Sequence, residues 1–236
     1  LEQGDFVPIC REAAFSSAEG AAMPPIVLDT EYGEVELQGK IDRVDATDEF
    51  VRVVDYKTGS QSFGYTGVYY GTKLQLPIYL RAAVQSTGKR PAGMFYFPFK
   101  TRWTLDPATN LLDGPFNGDE ACLVKLDRGF QEEGKRRSTV LKASGERKNG
   151  VFSLRTRAAA LSAERLYRLT DYATEVATAA VEEMREGVVA ASPLTENGRS
   201  ACGLCDFRPC CPRTRGRTAT SVDVKTLLRE AEDAVE

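Results

Sequence analysis

The sequence predicts an α/β protein, and three patterns carry that expectation. Residues 39–57 read as a β-hairpin, and residues 74–82 have helical apolar spacing and are followed by an aromatic-rich strand over 91–100. Residues 162–186 then form a long amphipathic helix. The 236 residues suit one sizeable domain, or one domain with an appendage, with enough chain to bury a core. At 42% hydrophobic and 28% charged residues the composition is that of a globular protein. No run approaches a membrane span and no leader pattern opens the chain, so the expected location is cytoplasmic. The start at Leu1 suggests a fragment of a longer chain. The formal net charge of -3 argues against a globally basic nucleic-acid binder but leaves room for a local basic groove.

In chain order, Pro24 and Pro25 make a stiff extended entry to the first strand. Val35, Leu37 and Ile41 share one strand parity, and Asp42 falls on the polar parity. The turn Ala46-Thr47-Asp48-Glu49 leads into a second run, in which Asp55 and Lys57 project to one face while Tyr56 points away. If the hairpin pairs in this way, two carboxylates and an amine meet at one end of a sheet. Such a set can hold a hard divalent cation and support phosphodiester hydrolysis, although an isolated Asp-x-Lys is usually an ordinary surface pair.

Leu74, Ile78 and Ala82 mark the next helix, which carries Gln75 and Tyr79 on one face and Pro77 early, where its missing N–H costs least. The aromatic stripe of residues 91–100 reads as core in the same sheet rather than as a base-stacking platform. Turn signals make 101–118 a loop, and 120–132 reads as a helix with Leu123, Leu126 and Phe130 on one side. The basic stretch 134–150 lacks a helical stripe and fits either a solvated loop or a DNA-contacting one. Ser162 is the expected N-cap and Gly187 the C-cap of the long helix, with Leu166, Leu169, Tyr172, Val176, Ala180 and Met184 as a continuous apolar face.

Near the end, Cys202, Cys205 and Cys211 stand as C-x2-C-x5-C beside Cys210, a spacing that suggests zinc or iron-sulfur ligation, either of which normally takes four protein ligands. Arg199, Arg208, Arg213, Arg215 and Arg217 surround these thiols with Asp206 as the lone acid, a density that suits phosphate contacts. Residues 222–236 make a short acidic helix that either docks or frays.

The order G-x-I-D (39–42), D-Y-K-T-G (55–59) and Q-x-x-x-Y (75–79) resembles the RecB-like branch of the PD-(D/E)XK nuclease superfamily. The resemblance implies a restriction-endonuclease-like α/β fold, a small mixed sheet flanked by helices. It implies that Asp42 and Asp55 bind Mg2+ or Mn2+ with the Tyr56 carbonyl, that Lys57 is the catalytic lysine, and that Gln75 and Tyr79 position DNA or the lysine. Many such nucleases use an upstream histidine as a ligand. This chain has none, and Glu12 is the candidate replacement.

The lead-in F-V-P-I-C-R-E-A-A-F (6–15) and the C-x2-C-x-F phrase further resemble the nuclease domain of AddB/RexB-type helicase-nuclease subunits. That implies a [4Fe-4S] cluster on Cys202, Cys205 and Cys211. The fourth cysteine would lie outside this chain, leaving the cluster incomplete or absent here. It also implies a nuclease domain over 1–200 with a cysteine- and arginine-rich staple and tail over 201–236. The implied function is DNA exonucleolysis in double-strand-break repair by homologous recombination, with an AddA-type helicase-nuclease subunit as partner. No G-x-x-x-x-G-K-[ST] loop is present. Two alternatives stay open: a stand-alone CRISPR-associated exonuclease, and a catalytically silent DNA-binding module, which the intact Asp42, Asp55 and Lys57 disfavour.

Overall fold

A computed structural model describes residues 3–59, 61–98, 111–155, 159–211 and 216–233. Among these residues the central element is a six-stranded mixed sheet, in the spatial order β1-β4-β5-β6-β7-β11. β1 (Val7–Phe15) leads into a separate hairpin of β2 (Ile26–Thr30) and β3 (Gly33–Leu37). β4 (Gly39–Ala46) and β5 (Phe50–Lys57) then form the antiparallel centre, with β1 on the outer side of β4. The single strand expected up to Asp42 is therefore two strands divided at Gln38: β3 pairs only with β2, and β4 joins the main sheet.

After the short α1 (Tyr65–Tyr69), α2 (Gln75–Thr87) buries Leu76, Ile78, Leu80, Ala82 and Ala83, and it ends at Gly88, whose φ of 66° is the left-handed cap that glycine adopts without strain. The chain returns as β6 (Arg90–Pro98), parallel to β5. Residues 99–110, which include the end of the aromatic run and most of the expected loop, lie outside the described residues. The rest of that loop is not irregular, because β7 (Phe116–Asn117) joins the sheet against both β6 and β11 (Ala160–Leu161). Two residues are too few to show an alternation.

The expected helix over 120–132 divides. α3 (Glu120–Leu126) stops at Asp127, whose extended backbone starts a 3-10 turn over Arg128–Gln131. The Asp127 carboxylate accepts from the Gly129 amide at 2.9 Å and from Ser138 Oγ at 2.6 Å, a local alternative that outcompetes helix continuation. The basic stretch is likewise no loop but a three-stranded antiparallel meander of β8 (Gly134–Arg137), β9 (Ser144–Lys148) and β10 (Val151–Leu154).

α4 (Ala163–Arg185) begins where expected, with Ser162 Oγ accepting from the Arg165 amide at 3.3 Å. Its buried face is shorter than the sequence pattern: Leu166, Leu169 and Ala173 are buried, whereas Ala180 and Met184 are exposed. Beyond it lie β12 (Leu194–Glu196), β13 (Arg199–Ser200) and β14 (Arg217–Thr218), which form a small sheet around the cysteines. α5 (Val224–Asp233) docks rather than frays, burying Leu227 and Leu228 in the same core that α4 serves.

The main sheet is covered on both faces. Val51, Val53 and Met94 look toward α2 and α4, while Phe50, Val54 and Phe95 look toward α3 and the meander. This two-sided burial also encloses Asp45 and Arg52, both fully buried and paired at 2.8 Å, with Arg43 donating to the second Asp45 oxygen at 2.6 Å. A strand reading V-R-V-V conceals such a charge, because only the partner across the register makes its burial tolerable.

Candidate active site

The β4–β5 register pairs Arg43 with Val54 and Val44 with Val53, so the next step toward the sheet end sets Asp42 across from Asp55. Asp42 Oδ2 accepts the Tyr56 backbone N–H at 2.8 Å, which closes the two strands around the carboxylates. Alternation along β5 sends Asp55 and Lys57 to the α2 face and Tyr56 to the other, where it is 42% exposed, stacks edge-on to Phe97 and accepts from Arg43.

Lys57 is the hub of the site. Its ammonium lies 2.6 Å from Asp55 Oδ2, donates to Gln75 Oε1 at 3.1 Å and sits 5.5 Å from the centre of the Tyr96 ring. Gln75 Nε2 in turn donates to Tyr79 Oη at 2.9 Å, one helical turn further along α2. Nothing in the sequence singles out Tyr96, since an aromatic inside an apolar strand carries no local sign that a lysine will cover it. The parallel β5–β6 register, which pairs Asp55 with Tyr96, brings it there.

Burial pushes the Asp55 carboxyl above the ordinary carboxylate range. Lys57 opposes that rise and the Asp42 charge adds to it. Asp55 Oδ2 is buried and, despite the close ammonium, receives no hydrogen bond of good geometry. A buried carboxylate oxygen with unspent lone pairs beside a second carboxylate suits a hard divalent cation, which both satisfies that oxygen and offsets the mutual repulsion. The donor set at Asp42 and Asp55 therefore fits Mg2+ or Mn2+.

Residues 2–212 match the family model of the PD-(D/E)XK nuclease superfamily. The chain belongs to that superfamily. It is also 32% identical over 229 residues to the B subunit of the ATP-dependent helicase/deoxyribonuclease of Desulforudis audaxviator, covering 87% of this chain and 19% of the relative. Proteins of the same name from Lachnoclostridium phytofermentans (33% over 235 residues) and Moorella thermoacetica (31% over 232 residues) are similar, with 89% of this chain matched to 19% and 20% of the relative. The chain thus spans about a fifth of the length of these curated relatives.

In this nuclease-family chain the glycine of G-x-I-D has a packing reason. A Cβ on Gly39 would stand 2.6 Å from Phe15 Cζ, so only glycine lets β1 lay that ring over the start of β4. Glu12 lies across from Asp42 in the register, between the Arg11–Arg43 and Ala13–Ile41 pairs, on a left-handed backbone with φ 49°. Its side chain turns to Lys40 at 2.5 Å, and among the described residues no three acidic, cysteine or histidine side chains gather as a metal-ligand set.

Cys202, Cys205 and Cys211 line one cavity of about 250 Å3 with Arg208, Pro193 and Gly216, while the Cys210 thiol turns to the Phe207 carbonyl at 3.3 Å. Cys10 and Cys122 do not line that cavity; Cys122 is fully buried in the core beneath the opposite sheet face, where burial raises its thiol far above the ordinary range. The three thiols line one cavity but, among the described residues, do not gather as a metal-ligand set. Arg199 and Arg208 are exposed on this small subdomain, and Arg213 lies outside the described residues. No described helix is long and apolar enough to cross a membrane.

Proposed function

We propose that this chain is a metal-dependent DNA exonuclease domain that hydrolyses phosphodiester bonds, over residues 1–200, with 201–236 as a cysteine-rich staple and tail. The observation that carries the reading is the buried, hydrogen-bond-deficient Asp55 carboxylate beside Asp42, with Lys57 held over it by Gln75. Asp42, Asp55 and the Tyr56 carbonyl would hold Mg2+ or Mn2+, with Glu12 as a further ligand once released from Lys40. When bound, the cation supplies Lewis-acid activation of water and neutralises the departing oxygen.

The chain's own residues do the remaining work. Lys57 orients the attacking water and offsets charge on the phosphoryl oxygens, Gln75 fixes the Lys57 rotamer, and Tyr79 holds Gln75. Arg199, Arg208 and Arg213 contact DNA phosphates. Cys202, Cys205 and Cys211 would supply three of the ligands of a [4Fe-4S] cluster. The similarity to helicase/deoxyribonuclease B subunits supports a place in a cytoplasmic helicase-nuclease that processes double-strand breaks, alongside an AddA-type subunit.

The test is cleavage of end-labelled single-stranded DNA with Mg2+ or Mn2+, beside Asp55→Ala and Lys57→Ala. Metal-dependent degradation lost in both variants supports the reading. A folded chain that binds metal and DNA without turnover would instead favour the silent DNA-binding module.

A further inference from the structure

The meander of β8, β9 and β10 presents an outward face that no other described element covers. The antiparallel registers pair Lys135 with Glu146, Arg137 with Ser144, Lys148 with Val151 and Glu146 with Ser153, so these side chains share one face. Arg155 follows β10 directly, and its amide donates to the Ser144 carbonyl at 2.8 Å. The face therefore carries Arg137 and Arg155 on either side of Ser144 in one row, then Lys135 beside Glu146 and Ser153, then Lys148. Rows stand two residues apart, about 7 Å. Four cations face one acid, in a chain whose net charge is -3.

The cations form a true cluster. The Glu146 carboxyl is held below the ordinary range by its bond to Arg155 first and by the fields of Arg155, Lys135 and Lys148. Among the described residues none forms an ion pair with Lys135, Arg137 or Lys148, all three of which are exposed. The neighbouring acids are engaged elsewhere: Glu132 pairs with Arg136, and Glu133 accepts the Gly150 amide at 2.9 Å. Unpaired, exposed cations set in rows are electrostatically unfavourable alone and are stabilised by a polyanion.

The meander packs on the sheet face opposite Asp55 and Lys57, and a backbone path across the sheet end links it to the carboxylates. Tyr96, the register partner of Asp55, bridges on its other side to Asp113, so Asp55 and Asp113 are two strand spacings apart, about 10 Å. Asp113 pairs with Lys142 at 3.1 Å, and Lys142 belongs to the β8–β9 connection that the Ser138–Ala143 hydrogen bond at 2.9 Å closes beside Arg137. Along this path the Arg137 row is the first part of the face reached from the carboxylates, so a strand leaving the site has to pass the sheet end to meet it.

We propose that this face binds the phosphate backbone of the DNA strand beyond the phosphodiester held at Asp42, Asp55 and Lys57, with Lys135, Arg137 and Lys148 each neutralising a phosphate. The proposal rests on the nuclease reading, and its test separates the two.

Binding of a fluorescein-labelled 20-nucleotide oligo-dT to the 236-residue chain is followed by anisotropy over a salt series in EDTA. Hydrolysis of bis(p-nitrophenyl) phosphate with Mn2+, a substrate too short to reach the meander, is measured beside it. The triple variant Lys135→Ala/Arg137→Ala/Lys148→Ala is expected to weaken oligonucleotide binding and to reduce the log–log salt slope by about 2, at about 0.7 per phosphate. Its hydrolysis of the short substrate stays at the parental rate. Glu146→Gln, which removes the one acid, is expected to tighten binding, a direction that general loss of structure cannot produce.

Parental affinity and slope in the triple variant would overturn the proposal, as would a parent chain without measurable oligonucleotide affinity. So would loss of poly-glutamate binding with DNA binding intact, which would reassign the face to an acidic protein. Failure of the parent to hydrolyse the short substrate while the slope still falls would strike the nuclease reading and leave the DNA surface standing.

Discussion

The Lys57 ammonium at the end of β5 donates to Gln75 Oε1 at the first residue of α2, across 3.1 Å. This bond selects one rotamer of a long side chain that would otherwise sample many, and it aims the ammonium between Asp55 and the Tyr96 ring. Gln75→Ala is expected to lower kcat on single-stranded DNA by about 10- to 100-fold with KM nearly unchanged, since the group lost positions a catalytic residue rather than binding the substrate. Gln75→Glu keeps an acceptor and should retain more of the rate. Steady-state kinetics with Mn2+ distinguishes them, and an equal loss in both variants would contradict the positioning role.

Asp42 has two tasks that one substitution separates. Asn in its place still accepts the Tyr56 amide, so Asp42→Asn is expected to unfold within about 0.5 kcal/mol of the parent. The missing charge should abolish Mn2+ binding by calorimetry and lower cleavage by at least about 100-fold. Unchanged Mn2+ affinity would remove Asp42 from the proposed ligand set.

The buried Asp45–Arg52 pair predicts a non-additive stability effect. Arg52→Met leaves Asp45 inside the protein with only Arg43 against it and is expected to cost about 3–5 kcal/mol in urea unfolding. The double variant Asp45→Leu/Arg52→Met removes both charges and should regain most of that loss. A double variant no more stable than Arg52→Met would show that the network stabilises the fold by more than mutual neutralisation.

Gly39→Ala places a methyl 2.6 Å from the Phe15 ring and is expected to destabilise by about 1–3 kcal/mol, or about 2–4 °C in Tm for each kcal/mol. The companion Phe15→Leu should restore part of the Tm in the double variant. A Gly39→Ala chain melting with the parent would mean that β1 yields readily at this position.

Much of this protein follows from short-range periodicity. Alternation alone sends Asp55 and Lys57 to one face and Tyr56 to the other, the i,i+4 rule joins Gln75 to Tyr79, and Ser162 and Gly187 bound α4 by their capping chemistry. The hairpin that carries the carboxylates was readable because two strand-like runs flank the turn at residues 46–49 and each run brings a carboxylate to the same end.

Tertiary structure decided whatever depends on a partner distant in the chain. The division at Gln38 arises because β3 has β2 to pair with, the two-residue β7 exists only between β6 and β11, and the basic stretch becomes a sheet because its three strands satisfy one another's backbone groups. Arg52 is buried because Asp45 stands opposite it, and Tyr96 meets Lys57 because β6 lies parallel to β5 in that register. Hydrogen bonds and charges gain their value from what faces them, and in a mixed sheet the facing residue is set by register and strand order rather than by nearness in sequence.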